Sequence, residues 1–340
     1  MRRSALVQLA GPVVLLALVG IIGLGFGAAT QEKFTTALVT ATIVIGLYVF
    51  VGNSGVISFG HVSFVALGAF SAGVLTIPAA VKPTLLPELF GFLSDAELGY
   101  LPSLAVASGL GAVVALIVGT PLMRLSGLTA GIATFAVLEI TNNVLRFWEK
   151  IGPGATTLSL VPTDTGLIAA TFLAVLAAIV AFAFQRTPVA RRLRATREDP
   201  AAAQAVGINV HRERLIAFVL SGAITGLAGG LLVHQLGSVT TGQVYLDLTF
   251  ITLAMLVVGG SGSLWGAVIG AVGLSFLNDV LRDAEDGALP NGSSLIILGV
   301  LMALVLILRP SGLVGGREFA LSLPGRHRRG RTGATPPVAD

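Results

Sequence analysis

The side chain most able to do chemistry in this sequence is the carboxylate of Glu139. It lies in an apolar segment long enough to cross a lipid bilayer, where an ionisable group is costly and is by default a functional candidate. There it could bind a cation or carry a proton, which would suit an ion-coupled carrier. It could also hydrogen-bond a neighbouring helix, and we favour this structural interpretation.

A second group of polar residues lies in the glycine-rich stretch 52–61. Such side chains could line a path for a solute, but glycine and serine also let membrane helices pack closely. Both interpretations stay open. The candidates for a translocation path are therefore Asn53, Ser54, Ser58, His61, Thr134, Glu139 and Asn142.

Other kinds of active site find little support in the sequence. The four histidines are scattered without the spacing of metal ligands, so no metal site is predicted. A glycine-rich phosphate loop ending in Gly-Lys-Ser/Thr is absent, which argues against a nucleotide site in this chain and against an enzyme. The absence of cysteine excludes disulfides and thiolate chemistry.

Residues 186–214 form a long polar insert between apolar segments, with seven arginines and three acidic residues. A short helix is predicted inside it. Asp199 can cap the helix, Pro200 suits its first position, residues 201–206 can continue it, and Gly207 can end it. A capped helix in a basic cytosolic loop is expected to dock onto a cytosolic partner.

The elements that position these residues are predicted to be membrane helices. The chain of 340 residues is 54% hydrophobic and only 11% charged, with a mean hydropathy of +0.90, whereas soluble domains carry about 25% charged residues. Spans of roughly 20 apolar residues, shorter where protein surrounds them, give ten candidates. They are 7–28, 34–52, 62–80, 102–122, 127–147, 166–185, 215–236, 248–258, 264–281 and 294–309.

Glycines are expected to interrupt this helical pattern at two places. One is the stretch 259–262, which divides a long apolar run into a short helix and a longer one. The other is the stretch 52–60. The structural breaks are assigned to Gly52, Gly55, Gly60, Gly259, Gly260 and Gly262.

The charge distribution orients this bundle. With ten spans and both termini in the cytosol, sixteen of the 21 lysines and arginines face inward, and most acidic residues face outward, as the positive-inside bias requires. The net charge of +4 is thus read as membrane orientation rather than nucleic-acid binding. We expect an all-α polytopic domain over residues 1–323 and a disordered basic tail over 324–340 that lies against anionic lipid.

Five separated motifs resemble one family, the LivM-type permeases, which are membrane subunits of ATP-binding-cassette importers for branched-chain amino acids. Stretch 51–61 is similar to its Gly-x-x-Gly-x-x-Ser-x-Gly-His signature, and 125–140 to its following membrane segment. Stretch 194–209 resembles its cytosolic coupling loop. Stretches 259–266 and 309–313 complete the match in the same order.

The resemblance implies a transport subunit of the bacterial plasma membrane with several partners. These are a second permease, LivH-like or another copy, an extracytoplasmic solute-binding protein, and two cytosolic ATPases that hold ATP and Mg²⁺. It places ATPase coupling on the 186–214 loop. The candidates there are Arg194, Arg197, Glu198, Asp199, Pro200, Ala203 and Gly207.

The resemblance leaves the solute open. Segment 152–162 follows the family's glycine-rich outer stretch only loosely, and it lies on the face where a binding protein would dock. Branched-chain amino acids, other amino acids, urea and short amides all remain candidates. Two other classes are the alternatives: an ion-coupled secondary carrier dependent on Glu139, and a membrane scaffold that moves no solute.

Overall fold

The computed structural model describes residues 2–285, 290, 292–309 and 311–315. The predicted tail over 324–340 lies outside these residues. Within them the chain forms fourteen helices and one isolated β-bridge, between Leu158 and Val239. In chain order the helices are α1 (Arg2–Gly23), α2 (Ala28–Ser54), α3 (His61–Thr76), α4 (Lys82–Leu85), α5 (Gly91–Ser94), α6 (Tyr100–Leu122), α7 (Gly127–Phe147), α8 (Leu167–Gln185), α9 (Pro188–Glu198), α10 (Pro200–Ala205), α11 (Val210–Leu236), α12 (Leu246–Gly259), α13 (Leu264–Glu285) and α14 (Ser293–Leu308).

Six of the described helices are long and apolar enough to cross a membrane, namely α2, α6, α7, α8, α11 and α13. Four shorter apolar helices lie within α1, α3, α12 and α14. Each of the ten predicted spans therefore contains one helix. The all-helical, polytopic architecture is confirmed.

Several helix ends differ from the predicted span ends, for local reasons. Helix α3 stops at Thr76, because Ile77 precedes Pro78 and takes an extended conformation. Helix α11 begins five residues earlier than expected, since Asn209 caps it by accepting a hydrogen bond from the backbone nitrogen of Arg212 at 3.1 Å. The turn between α12 and α13 falls where predicted, with Gly260 at a φ of +118°.

Helix α11 occupies the centre of the bundle, between α2, α3 and α6. Glycines make this possible because they let helix backbones touch. A methyl group added at Gly68 of α3 would overlap the carbonyl oxygen of Gly226 in α11. One added at Gly111 of α6 would overlap the carbonyl oxygen of Gly222. These helices thus pack through close backbone contacts at their glycines.

Helix α2 is the second central element. It is buried on all sides over most of its length, as expected for a helix that is apolar all round. On the side away from α11 it packs against α8 and α13, and α1 covers α8. The two helices α2 and α11 therefore share the interior of the bundle.

The helix ends meet at two opposite ends of the bundle. At one, which we call the arginine-rich end, α9 contacts the end of α2, and the backbone nitrogen of Leu313 reaches the carbonyl oxygen of Val258 at 2.8 Å. At the other, the opposite end, Lys33 pairs with Asp283 at 2.5 Å, linking the start of α2 to the end of α13.

A short cap closes part of the opposite end. It contains α4 and α5, and the buried ammonium of Lys82 holds it together by donating to the carbonyl oxygens of Leu93, at 2.9 Å, and Ala96. Burial lowers the pKa of Lys82, and the charges of Glu97 and Asp95 oppose that shift. The cap is thus tied by one cation that serves backbone carbonyls.

Candidate functional site

Helix α10 is a short capped element that projects from the arginine-rich end. One carboxylate oxygen of Asp199 accepts hydrogen bonds from the backbone nitrogens of Ala201 and Ala202 at 2.9 and 3.0 Å. The helix ends at Ala205, one residue before the predicted end, and Gly207 follows with a φ of +85°. The local signals of cap, proline and glycine therefore act as predicted.

The two faces of α10 differ in exposure. Ala203 is buried against the rest of the chain, whereas Ala201, Ala202 and Gln204 are exposed. Val206, just after the helix, is 77% exposed. A small, mostly apolar surface is thus presented outward, next to the exposed carboxylate of Glu198.

Helix α9, which precedes α10, was not expected from the sequence. Its start carries the same kind of signal, because the Thr187 hydroxyl accepts from the backbone nitrogen of Ala190 at 3.2 Å and Pro188 takes the first position. Ala190, Leu193 and Thr196 form its buried face. The threonine-proline pair could have revealed this helix.

The arginines of α9 bind the end of α2. The Arg194 guanidinium donates to the Asn53 side-chain oxygen at 2.8 Å and to the Gln185 carbonyl oxygen at 2.9 Å. The Arg197 guanidinium donates to the Gly52 carbonyl oxygen at 2.9 Å. These two coupling candidates therefore point into the chain, and Asn53, a candidate for the translocation path, lies at the same contact.

Two glycines of the signature stretch serve this contact. Gly55 ends α2 with a φ of +71°. A β-carbon added there would lie only 2.8 Å from the Cγ of Arg197. Gly52 lies inside α2 and does not interrupt it. A β-carbon there would come within 2.7 Å of the Ser261 carbonyl oxygen, so Gly52 admits the α12–α13 turn.

The 186–214 loop is also fixed to α11. Arg192 of α9 pairs with Glu213 in the first turn of α11 at 2.7 Å, and the Glu213 side chain is only 5% exposed. The guanidinium of the next residue, Arg214, donates to the Leu125 carbonyl oxygen at 2.9 Å. Helix α9 is thus joined to both central helices, and α11 is joined to the α6–α7 loop.

His61 lies in an aromatic cluster. Its ring is 2% exposed and stands 5.5, 5.9 and 5.2 Å from the ring centres of Phe50, Phe64 and Phe218. Its Nδ1 is 2.7 Å from the Ser58 hydroxyl. Both candidates are therefore placed in packed surroundings where α2, α3 and α11 meet.

Thr134 joins α7 to the signature stretch. Its hydroxyl donates to the Gly131 carbonyl oxygen at 2.8 Å and accepts from the Phe59 backbone nitrogen at 3.2 Å. A β-carbon at Gly60, just before α3, would meet the Thr134 carbonyl oxygen at 2.6 Å. Within the same stretch, the Ser54 hydroxyl accepts from the Val56 backbone nitrogen at 3.2 Å.

Glu139 belongs to a separate polar group on α7. Its carboxylate accepts from the Asn143 amide at 2.8 Å and from the Tyr245 hydroxyl at the start of α12. It is exposed on the surface of the chain, and Asn142, three residues on, is half-buried. Tyr245 was not expected from the sequence, since no local signal links residues 106 positions apart.

Among the described residues, no group of three or more His, Asp or Glu side chains is placed to hold a metal ion. The arrangement instead offers a mechanical link at one end of the bundle and an exposed carboxylate on one side.

Comparison with known families decides the class. Residues 31–306 match the family described as branched-chain amino acid transport system / permease component. The chain belongs to this permease family. The match covers, in whole or in part, nine of the ten apolar segments and begins after the first.

Individual relatives agree with the family match. The permease is 28% identical over 319 residues to the high-affinity branched-chain amino acid transport system permease protein LivM of Escherichia coli K12, covering 84% of the permease and 70% of LivM. It is 31% identical over 270 residues to a probable branched-chain amino acid transport permease protein LivH of Methanocaldococcus jannaschii, covering 72% and 82%. The autoinducer 2 import system permease protein LsrC of Salmonella paratyphi B is 29% identical over 230 residues, with 63% and 65% covered. No solved structure matches.

The resemblance to LivM-type permeases is therefore confirmed. The permease is a multi-pass protein of the plasma membrane and a transport component rather than an enzyme. Nothing in the family match or among these relatives supports an ion-coupled carrier.

Proposed function

We propose that the permease is the membrane-spanning subunit of an ATP-binding-cassette importer for branched-chain amino acids or a related small polar solute. The solute class follows the names of the relatives LivM and LivH. The relative LsrC is named for autoinducer 2, so solutes other than branched-chain amino acids remain candidates. ATP hydrolysis, with its Mg²⁺, is assigned to partner subunits.

Ten helices cross the membrane in this proposal, with both chain ends in the cytosol. The arginine-rich end then faces the cytosol, and the opposite end, with Lys33, Asp283 and the Lys82 cap, faces outward. Support comes from the positive-inside bias, because residues 186–214 carry seven arginines.

The observation that carries the proposal is the bond of α9 to the end of α2 through Arg194 and Arg197. When two ATPases close on ATP, the exposed face of α10 and Glu198 transmit the movement to α9. Because α9 is hydrogen-bonded to α2 and ion-paired with α11, both central helices move with it. Alternating access follows from their displacement.

The Glu139 group is assigned to the translocation path. A carboxylate facing lipid is costly, so the surface shared by α7 and Tyr245 is expected to face the second permease, LivH-like or another copy. Asn142 continues along the same helix, whereas Thr134 is buried and bonded to the signature stretch. Asn53 and His61 are instead given to coupling and to packing, because their side chains are engaged there.

A solute-binding protein is assigned to the opposite end. There the Leu158–Val239 bridge holds segment 152–162 in place, and Leu160 is 61% exposed with a φ of +58°. Membrane lipid surrounds the bundle, and nucleic acid has no part in the proposal.

Purification in mild detergent from native cells, followed by reconstitution in liposomes, tests the proposal. We expect a stoichiometric ATPase and a second permease to copurify, and uptake of solute only with ATP and the binding protein. Uptake by the chain alone, driven by an ion gradient, would overturn it. The copurifying binding protein can then be screened for its ligand.

A further inference from the structure

A cavity of about 470 Å³ opens at the arginine-rich end, between α1, α2, α8 and α9. Among the described residues that line it, four are arginines and none is acidic. The arginines are Arg186, Arg191, Arg194 and Arg197. The coupling contact described above uses two of them, and the other two have no assigned role.

Three of these arginines are positioned by their neighbours, among them Arg197 through the Gly52 carbonyl oxygen. The Arg186 guanidinium donates to the Gln8 side-chain oxygen at 2.9 Å and stands 4.6 Å from the centre of the Phe182 ring. Arg194 is fixed by Asn53 and the Gln185 carbonyl oxygen. A guanidinium carries five N–H donors, and these bonds use one or two each, so donors remain for a ligand.

The charge of this cavity calls for an anion. Four cations around one space of this size repel each other, an effect that solvent reduces because Arg186, Arg191 and Arg197 are exposed. The nearby buried carboxylate of Glu213 is paired with Arg192, which does not line the cavity. A ligand with a phosphate group would neutralise the cluster with bidentate guanidinium bonds.

The position of the cavity indicates where this phosphate comes from. Its walls include α1 and α8, whose outer sides expose apolar residues such as Val14, Leu18, Phe172 and Ile179 to the bilayer. The arginines stand at the ends of these apolar helices, at the level of the lipid headgroups. Basic pockets between membrane helices on the cytosolic side suit anionic lipid headgroups.

We propose that this cavity binds the phosphate-bearing headgroup of an anionic phospholipid, with its acyl chains along α1 and α8. The bound headgroup bridges α8 and α9 and holds Arg194 and Arg197 at the end of α2. Anionic lipid thereby acts as a structural ligand of the coupling joint. The lipid site rests on the orientation and coupling role proposed above, and it holds whatever solute the permease carries.

Lipid retention tests this directly. The permease with its copurifying subunits is placed in nanodiscs of phosphatidylethanolamine and phosphatidylglycerol, extracted in mild detergent, and its bound lipid is quantified by native mass spectrometry. Each arginine near an anionic surface strengthens binding by about fivefold. The double variant Arg186→Gln/Arg191→Gln is therefore expected to hold phosphatidylglycerol roughly 30-fold more weakly.

Matched controls separate binding from folding. Arg124→Gln/Arg212→Gln removes two exposed arginines that do not line the cavity and is expected to retain the lipid. Arg186→Lys/Arg191→Lys keeps the charge and should retain most of it. Loss of lipid in the glutamine variant alone supports the site.

Three results would overturn the proposal. One is equal phosphatidylglycerol retention by wild type and Arg186→Gln/Arg191→Gln. Another is displacement of the lipid by millimolar inorganic phosphate, which would make the ligand a soluble anion. The third is wild-type protein that binds phosphatidylglycerol only after its ATPase subunits are removed, which would assign the cavity to an acidic protein segment. None of these results bears on ATP-driven uptake.

Discussion

At the scale of single residues, the contact of Arg194 and Arg197 with α2 brings two coupling candidates next to Asn53, a candidate for the translocation path that lies far away in the sequence. The last carbonyl groups of a helix lack partners inside the helix and carry partial negative charge. A guanidinium on the Gly52 carbonyl oxygen satisfies one of them. The end of α2 is thereby completed by a side chain 145 positions away.

Removal of this bond should uncouple transport from hydrolysis. Hydrogen bonds to charged groups contribute about 1.5–3 kcal/mol, and this one is partly exposed to solvent. In Arg197→Ala, we therefore expect ATP-driven uptake in liposomes to fall on the order of tenfold, with ATP hydrolysis retained.

The control for Arg197→Ala is Arg212→Ala, which removes an exposed arginine of the same loop and should leave uptake near the wild-type rate. Arg197→Lys should restore only part of it, because an ammonium lacks the planar donor geometry of a guanidinium. Normal uptake in Arg197→Ala would remove this bond from the coupling route.

Substitution of Glu139 separates the path role from an ion-coupled role. Glu139→Gln keeps an oxygen that can accept from Asn143 and Tyr245 and removes the charge. We expect uptake to remain dependent on ATP and insensitive to proton and sodium ionophores, with an altered half-saturating solute concentration. Uptake that is abolished in Glu139→Gln and collapses with an ionophore in wild type would favour a secondary carrier.

The residue scale also shows what local sequence can reveal. The cap by Asp199 and the stop at Gly207 depend on neighbours within a few positions, so they were predicted. The partners of Arg194 and Arg197 depend on how α9 folds back onto α2. From the sequence alone, both arginines were expected to face a cytosolic partner. An intramembrane carboxylate was likewise visible, but its partner Tyr245 was not.

At the scale of elements, we propose that α10 docks onto the ATPase through its exposed apolar face, which has no partner within the described chain. A charge on that face should weaken ATPase binding without affecting the buried side at Ala203. For Val206→Asp we expect a loss of copurifying ATPase, with unchanged thermal stability of the permease. Val206→Ala is the control and should lose little; equal ATPase recovery from Val206→Asp would assign the docking surface elsewhere.

A proline in α10 should act through the helix itself. Ala203→Pro removes the hydrogen bond from its backbone nitrogen to the Asp199 carbonyl oxygen, 3.1 Å long, at a cost of about 3 kcal/mol. We expect uptake to be lost while basal ATPase activity continues. Gln204→Ala, an exposed change that favours helix, is the control, and normal stimulated hydrolysis with normal uptake in Ala203→Pro would contradict the coupling role of α10.

The glycine contacts between α6 and α11 allow a prediction that compares two glycines of α6. At Gly111 an added methyl overlaps the Gly222 carbonyl oxygen, whereas at Gly109 nothing lies within 4 Å. Gly111→Ala should therefore destabilise the permease by about 1–3 kcal/mol, and Gly109→Ala should be neutral or slightly stabilising. Thermal unfolding in detergent measures both; an equal melting temperature for the two would mean that α6 and α11 adjust freely.

The positions of the membrane helices could be predicted because apolar length is a property of each segment alone. Their packing could not. The sequence has 43 glycines, and nothing local distinguishes Gly111, which touches a backbone, from Gly109, which faces open space. Helix α9 was missed because its many arginines masked a capped, amphipathic pattern.

At the scale of the whole molecule, the proposed orientation can be tested with single cysteines, because the sequence has none of its own. Gln204→Cys and Leu160→Cys are exposed positions at the two ends of the bundle. In intact cells, a membrane-impermeant maleimide should label only Leu160→Cys, and in inverted vesicles stripped of peripheral ATPase subunits it should label only Gln204→Cys. Labelling of both from one side would refute the alternation of ten spans.

The central position of α11 has a consequence for how the protein is made. A nascent chain that has reached α8 already contains α2, α3 and α6, but the helix around which they pack has not yet left the ribosome. The guanidinium groups that complete the end of α2 also emerge late, at residues 194 and 197. The early helices can therefore make only part of their contacts before α11 is inserted, so a chain that stops before α9 is expected to fold incompletely.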